Sequence, residues 1–300
     1  MKKLPTISIG LSAYNEEKNI AALLRELLSQ KRTTWRLKEI LVYTDACSDN
    51  TVREAKSVRS PFIRVHEGKS RKGKVGRVNQ MIHDCIGDAL VLFDADLKLG
   101  NSHVIDSLAK TLFSSRDIQL VGGNTKPYAP TSFFERAVYS TFLVFERSRK
   151  MMKNGHNIFG CNGGCLALKT EFARTITIPN VINEDDYIYF TCMKRGYAFR
   201  HVPEAIVFYK LPKTLKDYLS QTFRSNPEAV TLNFSQYFGG IVAKEYHRPI
   251  LFLVQSIWQS LLMYPVETAY IIMINILAKP FFPLISSRYK LEWYTAASTK

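Results

Sequence analysis

The sequence predicts an α/β protein with a mainly parallel central sheet flanked by helices. Three observations carry this: β-branched and apolar runs alternate with helix-length segments through the N-terminal third, three of those runs end in polar clusters, and 46% hydrophobic content over 300 residues supplies a sizeable core.

In chain order, "TISIGLSA", "KEILVYTD", "FIRVHEG" and "DALVLFDAD" read as strands, with helices over 16–30, 49–58 and 74–87 between them. Strands alternating with helices connect through right-handed crossovers, and such sheets bind ligands at the carboxyl ends of their strands. Asn15 with Glu16 and Glu17, Asp45 to Asp49, and Asp94 with Asp96 all stand at those ends, so they are expected in one crevice. Beyond residue 125 come a long helix near 132–153, a Gly-rich piece "GCNGGCLAL", an acidic helix start at "NEDD" and a helix over 214–224.

The stretch 250–278 differs in kind, with Glu267 as its single charged residue and Pro265 dividing it into two pieces. Gln255, Ser256, Gln259 and Ser260 give the first piece a polar stripe, and Lys244, Arg248, Lys279, Arg288 and Lys290 flank the whole. The expectation is an interfacial or re-entrant hairpin within 250–286 at the cytoplasmic face of a membrane; an ordinary buried helix pair is the alternative.

The formal charge of +15, from 41 Lys and Arg against 26 Asp and Glu, calls for an anionic partner without choosing among phosphorylated metabolites, nucleic acid and acidic lipid. Five cysteines without a CxxC pair or dense spacing point to reducing conditions. The start "MKKLPTISIG" has lysines before a short apolar run but ends in "NEE" without a small-residue cleavage site, so it reads as a strand and not a signal peptide.

The chemistry starts at "LVLFDADL". Asp94 and Asp96 follow a buried strand, and two hard oxygen ligands on a short loop suit Mg²⁺ or Mn²⁺. Alone, such a pair reads more readily as an exposed turn. In "YTDACSDNTV", capping the next helix explains Ser48 to Asn50 but not Asp45, whose carboxylate can accept hydrogen bonds from a base or ribose. "SAYNEE" offers Asn15 as a cap and Tyr14 as a face for a base. Of the nine residues Lys69 to Arg77, five are basic, and Lys74 enters a helix N-terminus where a diphosphate is favoured. His201 is a candidate additional metal ligand.

Seven segments in order, "SAYNEEKNI", "TDACSDNT", "GKVGRVN", "FDAD", "GCNGGCLAL", "EDDYIYFTCMKRGY" and "QTFR", resemble the family 2 glycosyltransferases, inverting enzymes with a GT-A fold. The resemblance covers roughly residues 6–225 and is nearest to membrane-associated members with a QxxRW-like motif. It implies a nucleotide-diphosphate-sugar donor, usually a UDP-sugar, bound through Mg²⁺ or Mn²⁺. Donor contacts would come from Ala13, Tyr14, Glu16, Asp45, Lys74, Asp94 and Arg224, with the metal on Asp94 and Asp96. The family's base is the Asp of an "ED" pair opening a helix that ends in "GY", here Asp185 beside Glu184, with Gly196 and Tyr197 keeping the spacing.

Gly163, Gly164, Glu184 and Gln221 fall on the acceptor side, the glycines permitting close backbone approach or positive φ. An acidic helix start capped by Asn183 is the structural alternative for Glu184 to Asp186. Ser225 replaces the family's tryptophan, Thr44 a usual aspartate and Arg77 a usual small residue. The implied division is a GT-A domain over 1–230, with a nucleotide-binding half 1–125 and an acceptor half 126–230, then a membrane-associated region 231–300. The implied activity is hexosyl or N-acetylhexosaminyl transfer to a saccharide or lipid-linked acceptor, with no nucleic-acid partner. A sugar-phosphate nucleotidyltransferase and a basic RNA- or lipid-binding protein are the competing readings.

Overall fold

A computed structural model describes residues 3–224 and 227–281. The chain forms β1 (Thr6–Ala13), α1 (Ile20–Leu28), β2 (Arg36–Thr44), α2 (Thr51–Ser57), β3 (Ile63–His66), α3 (Gly73–Asp84), β4 (Ala89–Asp94), β5 (Lys98–Leu99), α4 (Val104–Leu112), β6 (Ile118–Pro127) and α5 (Phe133–Met151). There follow β7 (Cys165–Lys169), α6 (Thr170–Ala173), α7 (Glu184–Lys194), β8 (Ala198–Tyr209), α8 (Leu215–Arg224), α9 (Pro227–Phe238), α10 (Ile241–Tyr246), α11 (Ile250–Met263) and α12 (Pro265–Ala278). It divides into two compact units, one of residues 1–126 and 160–209, the other of 127–159 and the chain from 210.

The first unit is built on a sheet of order β3-β2-β1-β4-β7-β6-β8-β5. β3, β2, β1 and β4 are parallel, each joined to the next in sequence by a helix, whereas β7 pairs antiparallel with both β4 and β6. One face of β1 (Ile7, Ile9, Leu11, Ala13) lies in the core with Leu23, Leu24 and Leu27 of α1, whose spacing puts them on one side of the helix. On the other face, a Cβ at Gly10 would stand 2.5 Å from Met81 Sδ, so glycine there lets α3 lie close to the sheet.

Register fixes the site. Ala13 of β1 pairs with Thr44 of β2 and Ser12 with Asp94 of β4, so three strands end level and the loops after them open on one edge.

In the second unit, α5 starts in a capping box: Ser132 Oγ accepts from the Glu135 N–H, and the Glu135 carboxylate accepts from the Ser132 N–H. The predicted division at Pro265 holds, but among the described residues α11 and α12 do not fold back on each other; residues 282–286 of the predicted hairpin lie outside the described residues. Contacts run in opposite order along two partners: Ser256 meets Ser148, Ser260 meets Arg147, Tyr264 packs edge-on against Tyr139, Glu267 pairs with Arg136 and Tyr270 packs against Phe133. Both halves therefore descend α5 in one direction, as a single rod bent at Tyr264 and Pro265. Proline at the first position of α12 removes an N–H and ends α11 without forcing a reversal. Among the described residues no helix is long and apolar enough to cross a membrane.

Candidate active site

The loops after β1 and β2 are locked to each other. Asn15 and Ala46, each the second residue beyond its strand, take positive φ (52° and 55°), and Asn15 does not cap α1, which begins at Ile20. Its side chain instead receives the Ser48 N–H at 2.9 Å and donates to Ser48 Oγ at 3.1 Å. Ala13 is fully buried, its carbonyl accepting the Asp45 N–H, and the buried Glu16 carboxylate accepts from Asn19 at 2.7 Å.

Asp45 is fully buried and engaged by protein on both oxygens. Oδ1 accepts the Lys72 N–H and Arg77 Nε, each at 2.8 Å; Oδ2 accepts the Gly73 N–H at 3.1 Å and lies 3.2 Å from Arg71 Nε. The carboxylate thus ties the basic loop and the start of α3 to the end of β2. Arg77, conspicuous in the sequence as a departure, is its buried partner, and Arg71 stacks its guanidinium 3.5 Å from the Tyr14 ring centroid. The sequence reading passed over both arginines as contacts of Asp45, although the density of positive charge at 69–77 was the available signal.

The second convergence joins β4, α3, α7 and the Gly-rich loop. Lys74 Nζ lies 2.6 Å from Asp94 Oδ1 and 2.7 Å from Glu184 Oε1, with both side chains less than a third exposed. Asp185 Oδ2 accepts the Gly163 N–H at 2.6 Å, and Oδ1 accepts the Asp186 N–H at 3.0 Å. Asn183 makes no cap; its amide donates to Asp186 at 2.8 Å. Glu184 and Asp185 are therefore engaged by residues distant in sequence, Lys74 and Gly163. At Gly163, a Cβ would lie 2.8 Å from Glu184 Oε1, 3.0 Å from Lys74 Nζ and 3.2 Å from Asp185 Oδ2. Of the two readings of that glycine, close approach is the one realised, since positive φ among the described glycines occurs elsewhere.

One ammonium faces several carboxylates here, and the ionisation equilibria reflect it. Burial alone would depress Lys74, but the charges of Asp94, Glu184 and Asp185 outweigh it and hold the ammonium above its ordinary value. Burial raises Asp94 to about 6; Lys74 opposes this, and the charges of Asp96 and Glu184 add to it. Asp185 is pushed well above the usual carboxylate range by burial, then by Asp186 and Glu184, against the pull of Lys74 and the Gly163 N–H. This surplus of hard, negatively charged oxygens fits a divalent cation. Among the described residues no three His, Cys, Asp or Glu side chains cluster to hold a metal by themselves, so Asp94, Asp96 and His201 do not form such a group. His201 is buried in β8, Gly164 donates its N–H to Asn162 Oδ1 at 2.9 Å, and Gln221 is half-buried on α8 in the second unit. The Arg224 side chain and Ser225 lie outside the described residues.

A parallel half-sheet whose strand ends carry these two clusters, with an antiparallel β7 returning beside β4, defines the class: an α/β protein of the GT-A fold. A model of "Glycosyl transferase family 2" matches residues 8–177, and the chain belongs to that family. The Escherichia coli protein "UDP-Glc:alpha-D-GlcNAc-diphosphoundecaprenol beta-1,3-glucosyltransferase WfgD" is 24% identical over 191 residues, 63% of this chain and 70% of its own. The putative glycosyltransferase EpsE of Bacillus subtilis is 26% identical over 125 residues, 41% of this chain and 44% of its own. Among solved structures, the mannosyltransferase PcManGT from Pyrobaculum calidifontis, in complex with GDP-Man and Mn²⁺, aligns with a TM-score of 0.59 at 17% identity, covering 96% of this chain and 80% of that one. Glucosyl-3-phosphoglycerate synthase from Mycobacterium tuberculosis, with Mn²⁺, UDP-glucose and phosphoglyceric acid, aligns with a TM-score of 0.53 at 17% identity, covering 77% and 79%.

Proposed function

We propose that this glycosyltransferase moves a sugar from a nucleotide-diphosphate donor, a UDP-sugar in the first instance, to an acceptor hydroxyl with inversion at the anomeric carbon. The observation that carries the reading is the convergence on Lys74 of Asp94, at the end of β4, and Glu184, beside Asp185 at the start of α7. This supports the reading because a single displacement requires a group that stabilises the departing diphosphate beside one that takes a proton.

Asp185 is the proposed base. The Gly163 N–H fixes one of its oxygens and so orients the carboxylate to take the hydroxyl proton. Lys74 engages Asp94 and Glu184, and a third ammonium hydrogen can donate to a diphosphate oxygen. Asp94 and Asp96 are the residues that would hold Mg²⁺ or Mn²⁺, which when bound supplies charge stabilisation to the leaving group. Tyr14 and Arg71 form the flat, cationic wall against which a base can stack, with Ala13, Glu16 and Asp45 shaping the loop behind it. Gly163, Gly164 and Glu184 remain the proposed acceptor side, and the roles read for Gln221 and Arg224 rest on the sequence resemblance alone. The name of the Escherichia coli relative pairs a UDP-sugar with a diphosphoundecaprenol-linked acceptor, which supports a lipid-linked saccharide as acceptor and hence a reaction at a membrane surface.

Release of UDP or GDP from a panel of hexosyl and N-acetylhexosaminyl donors with Mn²⁺ tests the reading. At least one donor is expected to turn over, and Lys74→Met to lower that rate about a hundredfold, the scale of removing one preorganised donor from a developing anion. Failure of every donor to bind in calorimetry with Mn²⁺ present would overturn it.

A further inference from the structure

The rod formed by α11 and α12 is built with its polarity reversed. The side facing α5 carries Ser256 and Ser260 (both 0% exposed) and Thr268 (2%), while the opposite side carries Leu251 (76%), Leu262 (70%) and Ile276 (66%). Val254, Trp258 and Val266 complete the outer side, each more than half exposed. Leu251, Val254, Trp258 and Leu262 follow the helical repeat in α11, and exposed Val266, Met273 and Leu277 follow it in α12, so each helix presents an apolar line outward.

The inner, polar side is satisfied within the unit. Arg147 donates to Ser260 Oγ at 3.1 Å, Arg136 Nε pairs with Glu267 at 2.7 Å, and Thr268 Oγ1 donates to the Ser260 carbonyl at 3.2 Å. A helix in water buries leucine and exposes serine, because apolar surface costs free energy there. Here the sequence assigns serine to the packed side, where small side chains let α11 approach α5, and leaves the large apolar groups outward. Each helix is about 21 Å long at 1.5 Å per residue, so the outer line is long and narrow in the manner of a surface that meets a plane.

We infer that the outer line of α11 and α12 docks lengthwise into the interfacial zone of a bilayer containing anionic lipid. Charge complementarity identifies that occupant: exposed Lys244 lies just before α11, exposed Lys279 just after α12, and the chain carries +15 overall. This deepens the membrane-surface reading above by naming the surface, its orientation and the lipid charge it requires. A rod along α5 has no hairpin tip to insert, so it lies in the membrane plane.

Flotation of the full chain with phosphatidylcholine vesicles, with and without one quarter phosphatidylglycerol, tests this without donor or acceptor, so its failure leaves the transferase reading standing. The chain is expected to float with the anionic vesicles and far less with the neutral ones. Leu251→Glu, Leu262→Glu and Ile276→Glu are each expected to lower partitioning about tenfold or more, the scale of losing a buried large aliphatic group, with the circular dichroism spectrum and melting point unchanged. Leu251→Trp and Leu277→Trp, each in a Trp258→Phe background and read as the increment over that parent, which keeps Trp35 and Trp293, should be quenched equally by a label near the headgroups. No flotation, or flotation unaffected by the three glutamates, overturns the proposal. A concentration-dependent doubling of mass abolished by the same glutamates would assign the line to a second copy of the chain instead. Quenching of only one of the two tryptophans would overturn the lengthwise orientation.

Discussion

At the scale of single residues, the site rests on carboxylates whose roles follow from their partners. Asp45 has four positively polarised contacts and acts within the protein, tying the loop at 71–73 to β2. Asp185 is held by backbone N–H groups, so Asp185→Asn should keep the loop in place while losing the proton acceptor. Transfer is expected to fall by about 10²–10⁴-fold, the usual contribution of a positioned base, with UDP and Mn²⁺ still binding by calorimetry. Full activity in that variant would remove Asp185 from the mechanism. Gly163→Ala tests the close approach: the new methyl would meet Glu184 Oε1 and Lys74 Nζ at 2.8 and 3.0 Å, so turnover should drop while the melting point changes little.

At the scale of elements, α5 is held at its start by a box in which Glu135 accepts from the Thr131 and Ser132 N–H groups. Ser132→Ala is expected to cost about 1 kcal/mol in urea unfolding, the typical worth of such a cap. The Thr131 hydroxyl, acting against burial, holds the Glu135 carboxyl below its ordinary value, and the two N–H bonds reinforce it. A depressed native value means that the stabilisation is fully present above the ordinary glutamate value of 4.5 and is lost as the pH falls below it through the native one. Glu135→Gln should therefore be less stable than the parent at pH 7, and the gap should narrow on acidification; a constant gap would show that the carboxylate's charge is irrelevant.

At the scale of the whole molecule, the chain combines a strongly basic charge balance with an interior whose cysteines are free thiols. All five cysteines are free, four are buried and Cys47 is half-buried. Burial also pushes Cys165 and Cys192 upward, away from thiolate. A thiol-reactive dye should label Cys47 rapidly in the native protein and the other four only on unfolding. Rapid labelling of several would mean that the first unit opens readily.

Much of the first unit was legible before any coordinates. β1 to β4 and the helices between them fall where apolar runs and helical periods put them, because each element is specified by a local pattern. β6 and β8 were not legible: Gly122 with Gly123, and Pro203, interrupt the strand signal, and pairing with neighbouring strands overrides it. The sequence by itself determined the alternation that makes a parallel half-sheet, the acids at its strand ends, the break at Pro265 and the family resemblance. Only the tertiary structure decided that Asp45 is spent on Arg77 and the α3 N-terminus, that Lys74 joins Asp94 to Glu184, and that the apolar rod descends α5 unreversed. Those outcomes depend on contacts between residues dozens of positions apart, and a local pattern carries no record of which distant partner a side chain will meet.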